Sequence, residues 1–420
     1  MTKFIQVKKE DSALTEELLV QLLKSSQLVF LTGGAGSGKT YLLKRVVKLF
    51  RDVAILAPTG IAAFNVAGQT IHSFFRFPPH LQKPSEVSTS IKNSYLIKKL
   101  ELLVIDEVSM VNALMLDCID SLMRRIRDCA LPFGGCAVLF CGDMAQLAPV
   151  VHDKKTGTGL SQKEALSKLG YSSSFISCSK VWDKLGYIVE LQGSWRQDTD
   201  NYFFSLLSDM RNFLLKQGVS SIKKTVSDIN EHTQNNILLN YTTLAPTNQQ
   251  VGDTNVLELG KLKGRERSYT ASITGEWRDE LSRAPRELIL KEGAQVLCVA
   301  NDPHKKFFNG DLGRVLELEK LGVWLELESG RSVKVSQSRW DNWQYDWDEE
   351  RSHVCVRSVG TFSQLPIQLG YAMTIHSSQG LTLGRVKFVT ERLFDFRLAY
   401  VAISRCPDLA SLSLSRPLCV

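Results

Sequence analysis

Four short runs in the first half of the chain are apolar at nearly every position. They are Leu28–Thr32 (LVFLT), Val53–Ala57 (VAILA), Leu102–Ile105 (LLVI) and Ala137–Cys141 (AVLFC). Nearly unbroken apolar character over so few residues predicts strands covered on both faces, as in a parallel sheet. Between them, Tyr41–Phe50 and Asn112–Arg127 have helical spacing, and strands alternating with helices predict a doubly wound α/β domain. A stretch around Phe74–Leu96, with Pro78, Pro79, Pro84 and a Ser/Thr cluster, breaks the pattern and reads as a small insertion. The polar segment Val151–Gly170 is a second break. From about Leu191 a second α/β unit is expected, with Tyr241–Leu244 and Gln368–Tyr371 as strand ends. Within it, Leu288–Val356 runs in short alternations (AQVLCV, GRVLELEK, VWLELESG, RSVKV) separated by turn residues. That pattern predicts a small antiparallel barrel inserted into the second unit.

Composition adds bounds. The chain has 420 residues, 44% hydrophobic and 23% charged, which suggests two to four packed units. A net charge of +7 permits a polyanionic partner without demanding one. The nine cysteines include no CxxC pair and no zinc spacing, which suits reduced thiols in a reducing compartment. No signal peptide or membrane span is expected, so the cytoplasm is the expected location, or the nucleus or an organelle in a eukaryote.

The chemistry concentrates at the predicted strand ends. Gly33–Thr40 reads GGAGSGKT, between a strand and an amphipathic helix. In such a P-loop the backbone N–H groups of Gly33, Gly34, Ala35, Gly36, Ser37 and Gly38 face phosphates. Lys39 reaches the β/γ phosphates, and the Thr40 hydroxyl is offered to Mg²⁺. LLVIDE at 102–107 delivers Asp106 for the metal shell and Glu107 as general base for the attacking water. Together these identify a nucleotide hydrolase using ATP and Mg²⁺. CGDMAQL at 141–147 adds Asp143 and Gln146, placed to sense the γ-phosphate. Arg196 in SWRQ and Arg405 in VAISR are candidates for cationic donors to that phosphate, although a lone arginine is more often a surface ion-pair partner.

With these come further ordered segments: APTGIAA at 57–63, GQTIHSFF at 68–75, LAPTNQQV at 244–251, LKEGAQVLCVAND at 290–302, NGDLGRV at 309–315, TIHSSQG at 374–380 and YVAISR at 400–405. In this order they resemble the Pif (petite integration frequency) family of superfamily 1 helicases, relatives of RecD and Dda. LDCIDSLMRRIRDCALPFGG at 116–135 resembles the segment that sets this family apart. The resemblance implies an α/β fold with two RecA-like P-loop domains. The first would span 1–190, with a wedge insertion at about 74–98. The second would comprise 191–257 and 362–420, interrupted at 258–361 by a Src-homology-3-like barrel. It further implies 5′-to-3′ translocation on single-stranded DNA, Arg196 and Arg405 as γ-phosphate arginines, and Gln379 coupling ATP to DNA. Two departures stand out. Glu16 and Glu17 lie where the family reads adenine with Gln, with Gln21 displaced, and Ser377 replaces a usual Lys.

The implied DNA contacts are Pro58, Thr59, His72, Phe74 and Phe75, then Thr247, Asn248, Thr374, His376 and Ser378. Phe74 and Phe75 fit base stacking and core packing equally well. Phe77, Pro78 and Pro79 fit a stiff strand-separating wedge or a plain connector. Trp340, Trp343, Tyr345 and Trp347 lie among acidic residues, which favours a structural role in the barrel over stacking on bases. The expected partners are single-stranded DNA and single-strand/duplex junctions, with G-quadruplexes or RNA–DNA hybrids also plausible, and a monomer when free. Two rival readings remain: an ATP-driven translocase or remodeller that does not separate strands, and a nucleic-acid-binding scaffold with an inactive ATP site.

Overall fold

The computed structural model describes residues 2–8, 11–25, 28–78, 83–149, 162–196, 200–215, 222–233, 236, 238, 240–348, 350–351, 353–391, 393 and 395–419. The chain divides into two compact units, one of Met1–Trp195 with Trp343–Ser358, the other of Arg196–Asn342 with Val359–Val420.

The first unit contains β1 (Lys3–Lys8), α1 (Ser12–Lys24), β2 (Leu28–Gly33), α2 (Lys39–Val46), β3 (Val53–Ala57), α3 (Gly60–Asn65), β4 (Gln69–Thr70), α4 (Ile71–Phe75), α5 (Ile91–Lys99), β5 (Leu102–Ile105), α6 (Ala113–Arg127), β6 (Ala137–Cys141), α7 (Gln162–Lys168) and β7 (Tyr187–Gln192). The strands form one parallel sheet in the order β1-β7-β2-β6-β5-β3-β4. Successive side chains leave a strand on opposite faces, and here each face meets its own core. Leu28, Phe30, Leu103, Ile105, Val138 and Phe140 enter one core with α4, α5 and α6. Val29, Leu31, Leu102, Val104, Leu139 and Cys141 enter the other with α1 and α2. This two-sided burial, at about 1.5–3 kcal/mol for each large apolar side chain, is why these strands carry no polar alternation.

The insertion has no core of its own among the described residues. Phe77, Val87, Leu96 and Ile97 join the main core. The Pif-like segment holds it there. Ser121 donates to the Pro84 carbonyl at 2.8 Å, Arg125 donates to the carbonyls of Ser85 and Val87, and Arg127 reaches those of Ile97, Leu100 and Gly134. Two arginines near the end of one helix thus satisfy carbonyls of a segment that has few strand partners. Asp117, buried in the same helix, accepts from the Tyr171 and Ser179 hydroxyls and the N–H groups of Lys180 and Val181.

The second unit contains α8 (Asn201–Leu214), α9 (Ile222–Thr233), β8 (Thr242–Ala245), α10 (Asn248–Gly260), β9 (Glu266–Thr270), β10 (Ser272–Gly275), β11 (Glu287–Lys291), β12 (Gln295–Cys298), β13 (Leu312–Leu318), β14 (Gly322–Leu327), β15 (Ser332–Ser336), β16 (Ser338–Asp348), β17 (His353–Gln364), β18 (Ile367–Leu369), β19 (Ala372–Thr374), β20 (Val386–Phe388), α11 (Phe396–Ile403) and β21 (Leu412–Leu414). The far ends of β16 and β17, from Trp343 to Ser358, belong to the first unit. A parallel sheet, β19-β8-β20-β21, is the second α/β layer. The β-rich insertion forms antiparallel sheets, the largest ordered β15-β14-β13-β12-β18. Gln368 was expected in the parallel sheet and lies instead in β18, opposite Leu297 of β12. The chain changes sheets at Gly370, where a Cβ would come within 2.7 Å of the Val296 carbonyl carbon, so the parallel strand starts only at Ala372.

The aromatic run around β16 also divides. Trp340 is buried against Phe362, which stacks on Trp277. Tyr345 and Trp347 pack on the core of the first unit. The barrel role expected for all four is corrected for these two, because the strand is long enough to leave its own sheet.

Candidate functional site

In a parallel sheet every strand points the same way, so the residues that follow the strands gather at one edge. In the first unit the adjacent strands β2, β6, β5 and β3 deliver the P-loop, Gly142–Asp143, Asp106–Glu107 and Pro58–Thr59 side by side. Asp106 is further tied to the neighbouring strand by donating its N–H to the Leu56 carbonyl at 2.8 Å.

The P-loop is shaped by left-handed glycines, Gly36 at φ 76° and Gly38 at φ 92°, the latter capping α2. Only glycine takes such angles without strain. At Gly33 a Cβ would stand 2.7 Å from the Leu191 carbonyl oxygen. The Lys39 ammonium is held over the loop by the carbonyls of Gly33 and Gly34, both at 2.8 Å, and by the Ser37 hydroxyl at 3.3 Å. A further latch, not anticipated from the sequence, lies just after β7. The Ser194 hydroxyl donates to the Ala35 carbonyl (3.1 Å) and the Trp195 N–H to the Gly36 carbonyl (2.9 Å). The residues immediately before Arg196 are therefore fastened to the phosphate loop. Their place beside Arg196 in SWRQ was the available signal.

Asp106 is buried, and burial pushes its carboxyl above the usual range. The Glu107 N–H, the Cys141 thiol and the positive charge of Lys39 pull it back. Glu107 has left-handed backbone (φ 47°, ψ 45°), which costs a residue with a Cβ about 1–2 kcal/mol. Strain of this kind persists where surrounding structure enforces it, often at working sites. Asp143 and Gln146 are buried nearby in sequence, where the Gln146 N–H donates to the Asp143 carbonyl. Glu16 pairs with Arg45 at 2.5 Å, linking α1 to α2.

In the second unit the two expected arginines come together. Arg405, almost wholly buried, donates to the carbonyls of Val401, Ser378 and Leu381 and so brackets Gln379. Arg196 donates to the Thr382 hydroxyl and the Ser404 carbonyl, both at 2.9 Å. Burial, and then the charge of Arg405, lower the Arg196 guanidinium to about 9. Two guanidinium groups this close disfavour each other, and an anion between them relieves the repulsion.

Several expected DNA contacts need correction. Phe74 and Phe75 are 1% and 0% exposed and meet edge to face, so they are core side chains and offer no face to a base. Phe77 is buried and stacked on Phe75 at 5.4 Å, so it is not a projecting wedge tip. Pro78 is half-buried. Pro79 lies outside the described residues. Ser378 is fully buried, its hydroxyl donated to the Ile375 carbonyl. The Thr374 hydroxyl, also buried, accepts from the Ser377 N–H and donates to its hydroxyl. Pro58, Thr59, His72 and His376 are half-buried, at the ends of their elements. Thr59 caps α3 and Thr247 caps α10, which starts at Asn248. Burial lowers the His376 imidazole below its usual range.

The PIF1-like helicase family profile matches residues 6–227. The chain belongs to this family. It is 30% identical over 410 residues to the ATP-dependent DNA helicase Pif1 of Bdellovibrio bacteriovorus, spanning 94% of this chain and 85% of that protein. Among solved structures it is similar to Bacteroides Pif1 in complex with ADP-AlF4, at 30% identity and TM-score 0.85, over 96% of this chain and 92% of that one. It is also similar to Bacteroides Pif1 bound to single-stranded DNA, at 31% identity and TM-score 0.64, with the same coverage. All nine cysteines are free thiols, and among the described residues no helix is long and apolar enough to cross a membrane.

Proposed function

We propose that this chain is an ATP-dependent DNA helicase that moves 5′-to-3′ on single-stranded DNA and opens duplex or structured DNA. The observation that carries this reading is the row of strand ends in the first unit. It sets a phosphate loop, the acids Asp106 and Glu107 and the Pro58–Thr59 segment on adjacent strands of one sheet. An ATPase and a nucleic-acid grip built on neighbouring strands can exchange strain directly. The names of the relatives and the two bound Bacteroides structures support the same reading.

In this reading the P-loop amides and Lys39 bind the phosphates, and Glu107 takes the proton of the attacking water. Gln146 helps to place that water, while Arg196 and Arg405 neutralise charge on the transferring phosphoryl group. The donor set suits Mg²⁺, a hard ion that takes few protein oxygens and keeps waters and phosphates. The Thr40 hydroxyl and the Asp106 carboxylate would hold it. Bound there, it would neutralise negative charge on the phosphates. Glu16 and Glu17 stand where the family reads adenine with Gln, and Glu16 is engaged by Arg45. Pro58, Thr59, His72, Thr247, Asn248 and His376 contact the strand. G-quadruplexes and RNA–DNA hybrids are further substrates, and the free protein is a monomer. It works in the cytoplasm of a bacterium or phage host, or in a eukaryotic nucleus or organelle.

The test is phosphate release with and without single-stranded DNA at low salt, followed by strand displacement on duplexes with a 5′ or a 3′ tail. Strong stimulation by the strand and opening of the 5′-tailed duplex alone are expected. Hydrolysis indifferent to DNA would break the coupling. Stimulation without strand displacement would favour a translocase that does not separate strands.

A further inference from the structure

The sheet of the first unit has an incomplete edge. β4 is only two residues long and pairs with Leu56 and Ala57 of β3, leaving Ile55 beyond its reach. The segment Trp343–Ser358 completes this edge. The Tyr345 hydroxyl accepts from the Ile55 N–H at 2.8 Å and donates to the Ile55 carbonyl at 3.3 Å. Its backbone N–H donates to Gln69 Oε1 at 3.3 Å, and Gln69 Nε2 donates to the Ser73 hydroxyl at 2.7 Å. Its ring meets Phe74 edge-on at 5.6 Å. Farther along, the Val354 N–H donates to the buried Asp52 carboxylate at 2.8 Å, and Trp347 packs on Tyr95 at 5.2 Å. Of the elements Tyr345 touches, β3 leads into Thr59, and β4 leads into α4, which carries His72. The same β3 strand supplies the Leu56 carbonyl that receives the Asp106 N–H.

We propose that Tyr345 is a positioning residue for the DNA grip: it straps β3 to α4 and fixes Thr59 and His72 relative to each other. The proposal rests on reading those two residues as strand contacts. A hydroxyl that bridges both polar groups of one residue in the middle of a strand is a specific device. Filling this site by packing alone would need only the ring, and the Tyr345 ring is already seated on Phe74.

Tyr345→Phe in the full chain tests this, because it keeps the ring and removes the bridge. The DNA concentration giving half-maximal stimulation of hydrolysis should rise about three- to tenfold, the effect of one or two lost hydrogen bonds. Hydrolysis without DNA should stay within roughly twofold of the parent. His72→Ala should also raise the half-saturating concentration, and the double variant should fall clearly short of the product of the two single effects, since both act on one grip. An unchanged half-saturation in Tyr345→Phe, beside a raised one in His72→Ala, overturns the strap. Independent effects in the double variant overturn it too. If Thr59→Ala and His72→Ala both leave the value unchanged, the assignment of the contacts fails, and the strap's role in grip fails with it.

Discussion

Glu107, proposed as the general base, also has a strained backbone, and the two features can be separated by substitution. Glu107→Gln keeps the shape and the hydrogen bonding of the side chain but removes the base. General-base assistance is typically worth about 10²–10⁴ in rate, or roughly 3–5 kcal/mol of barrier, so steady-state phosphate release should fall by that factor while nucleotide binding persists. The left-handed backbone at φ 47°, ψ 45° adds a second expectation. A Cβ there costs about 1–2 kcal/mol, and glycine gives back roughly 0.5–1 kcal/mol in unfolded-chain entropy. Glu107→Gly should therefore be more stable than Glu107→Ala by about 0.5–1 kcal/mol, against the usual order of the two residues. In a unit of this size that is a melting difference of roughly 1–4 °C. Both variants should be as inactive as Glu107→Gln. The assays are phosphate release, fluorescent-nucleotide binding and calorimetric melting on the same preparations. Normal turnover in Glu107→Gln would refute the base assignment. Glu107→Ala melting above Glu107→Gly would refute the strain argument, whatever the kinetics show.

Asp117→Asn should destabilise the first unit by about 3 kcal/mol: an amide cannot accept from both the Lys180 and Val181 N–H groups, and a buried orphan donor costs about 1–3 kcal/mol beyond the lost charge assistance. Urea titration checks this, with Ser179→Ala as the milder control. Gly68→Ala places a Cβ 2.3 Å from the Ile55 carbonyl oxygen; because the clash is with strand backbone, a loss of at least about 2 kcal/mol in the same titration is expected. Arg196→Ala should lower turnover on the order of 10³-fold while melting holds, since it removes the repulsion with Arg405. His376 takes up a proton less readily folded than unfolded. Its contribution to stability is thus complete above the unfolded value of about 6.5 and falls away as pH drops below it. His376→Gln should flatten the decline in melting temperature between about pH 7 and 5.

Local signals were legible. The four apolar runs became β2, β3, β5 and β6 because burial on two faces leaves a nearly unbroken apolar string. The glycines of GGAGSGKT were legible because phosphate loops need backbone angles that other residues avoid. Orientation was less legible. TIHSFF reads equally well as a stacking surface or as core, because the sequence does not say which side of a five-residue helix faces the sheet. The answer is set by Asn93, whose side chain donates to the Phe74 carbonyl from α5, and by Tyr345.

The aromatic run 340–347 marks where local reading must stop. Its acidic neighbours argued for a structural role, yet that argument could not say which core each ring enters. β16 alternates too weakly to assign a face: Trp340 is buried, Trp343 and Tyr345 are half-buried, and Asp346 is buried beside an Arg357 ion pair. A strand that serves two cores in succession has no single inward face, so no period-2 pattern can mark it. Its partner at Ile55 lies 290 residues away, and the pairing uses a side-chain hydroxyl on a backbone strand, for which sequence has no periodic signature. The hydrolysis chemistry was therefore readable from motifs. The device that ties a remote hairpin to the strand before Thr59 becomes visible only once β4 is seen to pair with no more than the last two residues of β3.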